Sequence, residues 1–459
     1  MAGSRALFWL ASVAFFMQSL DTTMLYVAIP AIARTLHQPV LRMEPVVMAY
    51  LVAVVAFTPL NSWLSQRLGE RRTCQLALLT FIAGALLCSQ ATSAAALALC
   101  RCLQGAGGAL LLPVLRTQAL RATTPEQKLP FLNRMTLLGL LGTLTGPLAG
   151  SLLTDAFGWR AIFLAPIPLS LLCLWLTGYA IPDGVTPSSR RIPLRSLLLL
   201  TAALSLFTLL LVAAPKNLLP LPALTLIALA GCGCGWLYLR GDRHAREALL
   251  PASLFGIRTF YVGVWGGVLT RLLLASIPVL ISLVTQTTLG LTPATAGIIM
   301  LLFSAGALLA KLLFEPLVRR AGYRQLLIAA TLLAAIAVLA LGAAIQQRSL
   351  PCIGALSGLL GVLTALLHSA ESTLACCHLE NDACNSGNNI LLLSQLLAVM
   401  LSMALTFPAL RALSRLSPWL HISPFSLLFA LLGVGLALSC LLFRHLGHED
   451  GNVLLSPSS

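Results

Sequence analysis

Fourteen stretches of predominantly apolar residues, separated by connectors too short to fold on their own, leave this chain few options. A helix needs roughly 20 such residues to cross the hydrocarbon core of a bilayer. The stretches fall near 8–33, 45–65, 74–92, 95–118, 131–153, 160–181, 196–214, 219–239, 260–285, 292–314, 325–345, 350–371, 387–409 and 425–443. Only 9% of the residues are charged, against about 25% in a soluble domain. Such a chain cannot coat itself for water, so its solvent is lipid. The longest connectors, at 182–195, 240–259, 372–386 and 410–424, leave no room for a soluble catalytic domain.

The formal net charge of +15 would raise nucleic-acid binding in a soluble protein. Here the cations come one to four at a time between apolar runs, with no basic face, and the positive-inside rule accounts for them. Of 29 Lys and Arg, 18 lie in one set of alternate loops, 7 in the other and 4 (Arg101, Arg116, Arg271, Lys311) inside spans. That bias places both termini in the cytoplasm, as an even number of spans requires. The opening run from Arg5 through Gln18 passes Asp21 and continues to Ile32, too long for a cleaved signal, so it reads as a retained first span. Cys74, Cys88, Cys100, Cys102, Cys173, Cys232, Cys234, Cys352 and Cys440 lie in or at the ends of apolar runs, where cysteine acts as a small hydrophobe.

A weak repeat divides the chain. The segment Gln66-Arg67-Leu68-Gly69-Glu70-Arg71-Arg72 follows the second span, and Arg319-Arg320-Ala321-Gly322-Tyr323-Arg324 follows the tenth. Two six-helix bundles, each with a basic glycine turn after its second helix, leave a spare pair between them. The expected all-α integral membrane fold therefore has a first bundle over 1–181, a linker with two additional spans over 182–259, a second bundle over 260–443 and a cytoplasmic tail over 444–459. Repeated halves of this kind mark transporters whose site lies at the repeat interface.

Ionisable groups at the bilayer centre cost about 2.5–3.5 kcal/mol each on insertion scales and default to functional hypotheses. Asp21 lies halfway along the first span. Burial penalises the charged form of a carboxyl, which suits a group that takes up and releases a proton; a permanent ion pair or a hydrogen-bonded structural acid is the alternative. Arg101 and Arg116 stand fifteen residues apart on the fourth span, about 22 Å along a helix. Arg116 is placed either in the cavity or snorkelling to the cytoplasmic surface. Gln104, Gly105, Gly107 and Gly108 follow Arg101 and leave space for a polar cavity. Arg271 and Lys311 are the matching cations of the second half. Gly142, Gly146, Pro147 and Gly150 on the fifth span form a hinge or a tight helix contact. His368 and Glu371 share a helical face, and Glu371 is a second candidate proton carrier. Cys376, Cys377, His378, Glu380, Asp382 and Cys384 follow, but their spacing matches no zinc pattern and reads as a loop, with no metal site.

Leu20-Asp21-Thr22-Thr23 with Ala28-Ile29-Pro30 resembles the first-helix signature of the fourteen-span drug:proton antiporters of the major facilitator superfamily. Arg101-Cys102-Leu103-Gln104-Gly105 resembles the fourth-helix motif assigned there to proton transfer, and Gly142 with Gly146-Pro147 and Gly150 the antiporter motif. Trp159-Arg160, Ile162-Phe163, Pro168 and Ser386-Gly387-Asn388 also fit, so the likeness runs from about residue 10 to 440. It implies a proton-coupled exporter of amphipathic or cationic drugs in the inner (plasma) membrane of a bacterial cell, driven by the proton gradient without a cofactor. The proton-coupling residues are then Asp21, Arg101 and Glu371. Tyr26, Gln104, Arg116, Arg271 and Lys311 line the substrate cavity. Gln66, Arg67, Gly69 and Arg71 form the cytoplasmic latch, with Gly142, Gly146, Pro147 and Gly150 as the hinge. The chain departs from the pattern at Tyr26 (usually Asn), at Ser62 and Gln66 (usually Gly and Asp) and at Ser151 (usually Gly). A neutral Gln66 cannot make the ion pair of the usual latch.

Two further readings stay open. Four interior cations outnumber the interior acids and suit organic anions or metal chelates. A non-transporting sensor or assembly partner fits the changes at Gln66 and Tyr26, although Asp21, Arg101 and the glycine row speak against it. The expected partners are a small molecule and the lipid bilayer, with no nucleic acid; the sequence leaves oligomeric state open. An intramembrane enzyme is excluded because His368 and Glu371 lack a paired metal motif or an activated nucleophile.

Overall fold

The computed structural model describes residues 2–122, 125–182, 194–213, 220–242, 252–377, 381–420, 422–447 and 450. All regular structure among them is helical. In chain order the α-helices are α1 (Ala2–Thr35), α2 (Glu44–Phe57), α3 (Leu60–Leu68), α4 (Glu70–Gln90), α5 (Ala94–Ala122), α6 (Pro125–Phe157), α7 (Ala161–Leu164), α8 (Pro166–Ala180), α9 (Leu194–Ala213), α10 (Leu221–Asp242), α11 (Arg258–Leu274), α12 (Ile277–Thr287), α13 (Pro293–Gln346), α14 (Leu350–Cys376), α15 (Asn381–Leu420) and α16 (Pro424–Phe443). Twelve of the helical segments are long and apolar enough to cross a membrane. One of them, α13, is two helices meeting at Gly322, and α9 is a shorter apolar helix. Helix therefore stands at each of the fourteen positions expected from the sequence.

Three of those positions hold broken helices, each for a local reason. The second span divides into α2 and α3 at Thr58-Pro59, the sixth into α7 and α8 before Pro166, and the ninth into α11 and α12 before Pro278. Proline lacks the amide proton that would close the preceding turn. At Pro147, by contrast, α6 runs on as continuous helix.

The repeat seen in the sequence has a backbone counterpart. Gly69 (φ 83°, ψ 157°) and Gly322 (φ 72°, ψ 165°) turn the chain in the same way between a helix ending in basic residues and the next helix. This conformation is open almost only to glycine.

Two compact units emerge. The first comprises Met1–His244 with Thr292–Gly297, and the second Ala245–Leu291 with Ile298–Ser459. In the first, α1 packs most extensively on α6. A side chain added at Gly139, Gly142, Gly146 or Gly150 would run into Phe15, Phe16, Thr23 or Met24 of α1, so the glycine row is the surface on which α1 lies. The interior beside it is Leu7, Leu10, Phe81 and Leu111 with their neighbours. In the second unit Phe260 and Val264 of α11 pack with Ala375 of α14 and with Ile390 and Leu391 of α15. Leu99, Leu226, Leu312 and Leu438 stand outward and exposed. Apolar surface repeated on helix after helix is what lipid solvates and water does not.

Candidate functional site

Asp21 and Gln18 lie three residues apart on α1, and Arg101 and Gln104 three apart on α5, so each pair presents one face to the other helix. Arg101 Nη1 donates to Asp21 Oδ2 at 2.9 Å and to Gln104 Oε1 at 2.8 Å. Gln104 Nε2 donates to Asp21 Oδ1 at 2.9 Å and closes the ring. Asp21 is 3% exposed, Arg101 1% and Gln104 fully buried. The guanidinium also stacks 4.4 Å from the centre of the Tyr50 ring and 5.8 Å from that of Phe163. Gln18 Nε2 donates to the Tyr50 hydroxyl at 3.1 Å and to Gly108 O at 3.3 Å. Behind Gln104, Gly84 of α4 lets that helix close on α5, because a Cβ there would stand 2.5 Å from the Gln104 backbone nitrogen.

A buried carboxylate is tolerable only beside an opposite charge and with its oxygens bonded. Asp21 meets both conditions here. Arg101 Nε and Gln18 Oε1 remain buried without a partner, so the network holds one donor and one acceptor that a water or a substrate group can use.

The second unit repeats the theme. Arg271 Nη1 of α11 lies 3.2 Å from Glu371 Oε2 of α14 and donates to Gly267 O at 3.2 Å. Thr270 Oγ1 donates to the other carboxylate oxygen at 2.7 Å. Glu371 is fully buried and Arg271 7% exposed. A Cβ at Gly267 would stand 2.9 Å from Arg271 Nη1 and 3.4 Å from Glu371 Oε2, so the missing side chain is the space the pair occupies. One turn before Glu371, His368 Nε2 is buried without a partner. Lys311 Nζ donates to Ser369 Oγ at 3.2 Å.

The other expected site residues divide as follows. Tyr26 lies half-buried five residues beyond Asp21 on α1, within electrostatic reach of Arg101. Arg116 shares α5 with Arg101, half-buried and about four turns further on. In the basic turn Arg67 is exposed over the Trp63 ring at 5.1 Å, while Gln66 and Arg71 are half-buried, Arg71 beside Gly178 of α8. His378 and Glu380 lie outside the described residues, as do Arg190 and Arg191. Among the described residues no His, Cys, Asp or Glu cluster could hold a metal ion. Sequence reasoning passed over Gln18, Tyr50, Gly84, Gly267 and Thr270. Only Gly267 and Thr270 carried a signal, as a small residue four positions before an intramembrane arginine and a hydroxyl beside it.

Comparison with known proteins places this geometry in context. The family model described as Major Facilitator Superfamily matches residues 11–272. Similar proteins bearing the provisional name multidrug resistance protein MdtD include one from Klebsiella pneumoniae, 33% identical over 89% of this chain and 86% of its own length. Another, from Yersinia enterocolitica, is 31% identical over 88% and 86%. Among solved structures, a D-xylose-proton symporter superposes with a TM-score of 0.69 at 15% identity over 97% of this chain and 98% of its own. An auto-inhibited POT family peptide transporter gives 0.70 at 16% identity over 96% of each; at such identities the likeness is one of fold. By the family match and the length of the shared sequence, this chain is a multi-pass membrane transporter, not an enzyme, and belongs to the major facilitator superfamily.

Proposed function

We propose that the protein exports amphipathic or cationic small molecules across the inner membrane in exchange for protons, by alternating access with both termini in the cytoplasm. The observation that carries this reading is the Asp21 carboxylate, buried and closed into a ring by Arg101 and Gln104. A proton on Asp21 would cancel the charge that holds Arg101 and dissolve the ion pair. A cationic substrate would compete with that proton for the same carboxylate. Mutually exclusive occupancy is the requirement for antiport, since a ligand shifts a conformational equilibrium only through its differential affinity for the two states. The relatives named for multidrug resistance support drugs as the cargo. The charge count that favours anions weakens, because Arg101 and Arg271 are each matched by an acid.

Efflux of a cationic dye from proteoliposomes under an imposed pH gradient tests the reading. Asp21→Asn keeps the size of the side chain and an acceptor for Arg101, so the expected result is loss of gradient-driven flux with the protein still folded. Undiminished coupled flux in Asp21→Asn would remove the assignment. A protein that carries no dye under any gradient would favour the sensor.

A further inference from the structure

Of the two interior cations of the second bundle, Arg271 is in an ion pair and Lys311, among the described residues, is not. Lys311 lies in the last turn of the tenth span, on the α13 segment before Gly322, and is exposed; among the described residues its one polar partner is the Ser369 hydroxyl, and no ion pair engages it. On α14 the residue before Ser369 is His368, whose Nε2 is buried and unbonded. The imidazole stands within electrostatic reach of both Lys311 and Arg271. One turn earlier on the same face, Thr364 Oγ1 is also buried without a partner. Arg271 and Glu371 cancel each other. With a neutral imidazole the group Arg271, Glu371, His368 and Lys311 therefore keeps one net positive charge.

We propose that Lys311, with His368 and Ser369 beside it, forms a subsite in the second bundle for the acidic group of a substrate, a carboxylate in the first instance. The ammonium supplies the charge, and the Ser369 hydroxyl and the free His368 nitrogen supply directed bonds. Such charge-assisted bonds are about twice as strong as neutral ones. The subsite selects for carboxylate-bearing amphiphiles among the molecules the protein carries. The inference rests on the transporter reading only in supplying a substrate to bind.

Binding to purified full-length protein in detergent tests it, read by fluorescence anisotropy with two dyes that differ in one group. Rhodamine 110 has a free carboxyl, and rhodamine 123 is its methyl ester. Lys311→Met is expected to weaken rhodamine 110 by about tenfold or more, the scale of one lost charged hydrogen bond. Rhodamine 123 should bind as to the wild type, and Lys311→Arg should restore most of the acid dye's affinity. His368→Ala should weaken rhodamine 110 by less. Equal losses for both dyes would make Lys311 structural and overturn the proposal. So would an unchanged affinity for the acid dye in Lys311→Met, or a wild type that does not bind it. The two readings fail separately: Lys311-dependent binding without gradient-driven flux removes proton antiport and leaves this subsite standing.

Discussion

In the first bundle the carboxylate rides on the opening helix and the guanidinium on the fourth span, Asp21 facing Arg101. In the second bundle the order is reversed, with Arg271 on the opening helix and Glu371 on the fourth span. A buried ion pair asks only for opposite signs at the crossing, so exchanging the partners is electrostatically free. What differs is how fully each pair is enclosed. Arg101 touches a carboxylate, an amide and two aromatic rings. Arg271 bonds its carboxylate through one nitrogen, and the same nitrogen reaches back to Gly267 O. The pairs also brace opposite ends of equivalent helices. Arg101 comes seven residues after the start of α5, and Glu371 five before the end of α14. The first arrangement resembles a fixed socket, the second a clasp with fewer points of attachment.

Removing each arginine tests that contrast with the largest effect. Either deletion leaves a buried carboxylate unpaired, at a cost of about 3–5 kcal/mol. Arg101→Ala also strips Gln104 of a donor and empties the space over Tyr50, so it should destabilise more than Arg271→Ala. Melting in detergent, followed by a dye that labels the buried Cys74, Cys88 and Cys173 of the first unit and Cys440 of the second as they emerge, ranks the two deletions. Equal or reversed costs would erase the distinction between socket and clasp.

Lysine substitution sharpens the comparison. A lysine cannot lie flat over a ring while it reaches both Asp21 and Gln104, as Arg101 does. Arg101→Lys should therefore cost about 1.5–3 kcal/mol, the range of hydrogen bonds to charged groups, and lower gradient-driven flux. Arg271→Lys retains the one bond that matters and should fall within about 1 kcal/mol of the wild type. Gradient-driven dye flux and melting should agree in rank; a tolerant Arg101→Lys would mean that the stack over Tyr50 holds nothing.

A smaller effect separates the glycines beneath each pair. At Gly84 an added methyl meets Gln104 backbone at 2.5 Å, which cannot move without shifting α5. Overpacking of this kind costs about 1–3 kcal/mol. At Gly267 it meets the ends of the Arg271 and Glu371 side chains, which can swing. Gly84→Ala should lower the melting temperature. Gly267→Ala should leave it nearly unchanged and act on flux. The opposite order would show that the second pair is the rigid one.

Much of this was legible in the chain, because bilayer thickness and backbone hydrogen bonding narrow the choices to spanning helices. The fourteen apolar runs appear as helices, and the two basic glycine turns share one backbone conformation. Asp21, Arg101 and Gln104 stood out as polar residues where lipid forbids them, and they meet. What stayed hidden depends on pairing across long stretches of sequence. Arg271 and Glu371 are 100 residues apart, and nothing local says that the second bundle exchanges its charges. The glycine row on α6 reads as a hinge or a tight helix contact, with the neighbour unnamed; α6 continues through Pro147, and the row is the bed of α1. Tyr50 gave no warning because an aromatic residue in an apolar run is ordinary.

The faintest effect concerns that tyrosine and isolates one part of the socket. Tyr50 does two things: its ring lies under the Arg101 guanidinium, and its hydroxyl bonds with Gln18 and Thr22. Tyr50→Phe removes only the second; Gln18 Nε2 still reaches Gly108 O and Thr22 Oγ1 still reaches Gln18 O, so the cost should stay near 0.5–1.5 kcal/mol, about the net range of a neutral bond. Tyr50→Leu removes the ring too and should add roughly 0.5–2 kcal/mol for the lost cation–π contact. The difference between the two variants, measured as a melting shift and as dye flux, is the contribution of the ring alone. Should the two variants behave alike, the stack is geometric coincidence. Arg101 would then be held by Asp21 and Gln104 only, much as Arg271 is held by Glu371.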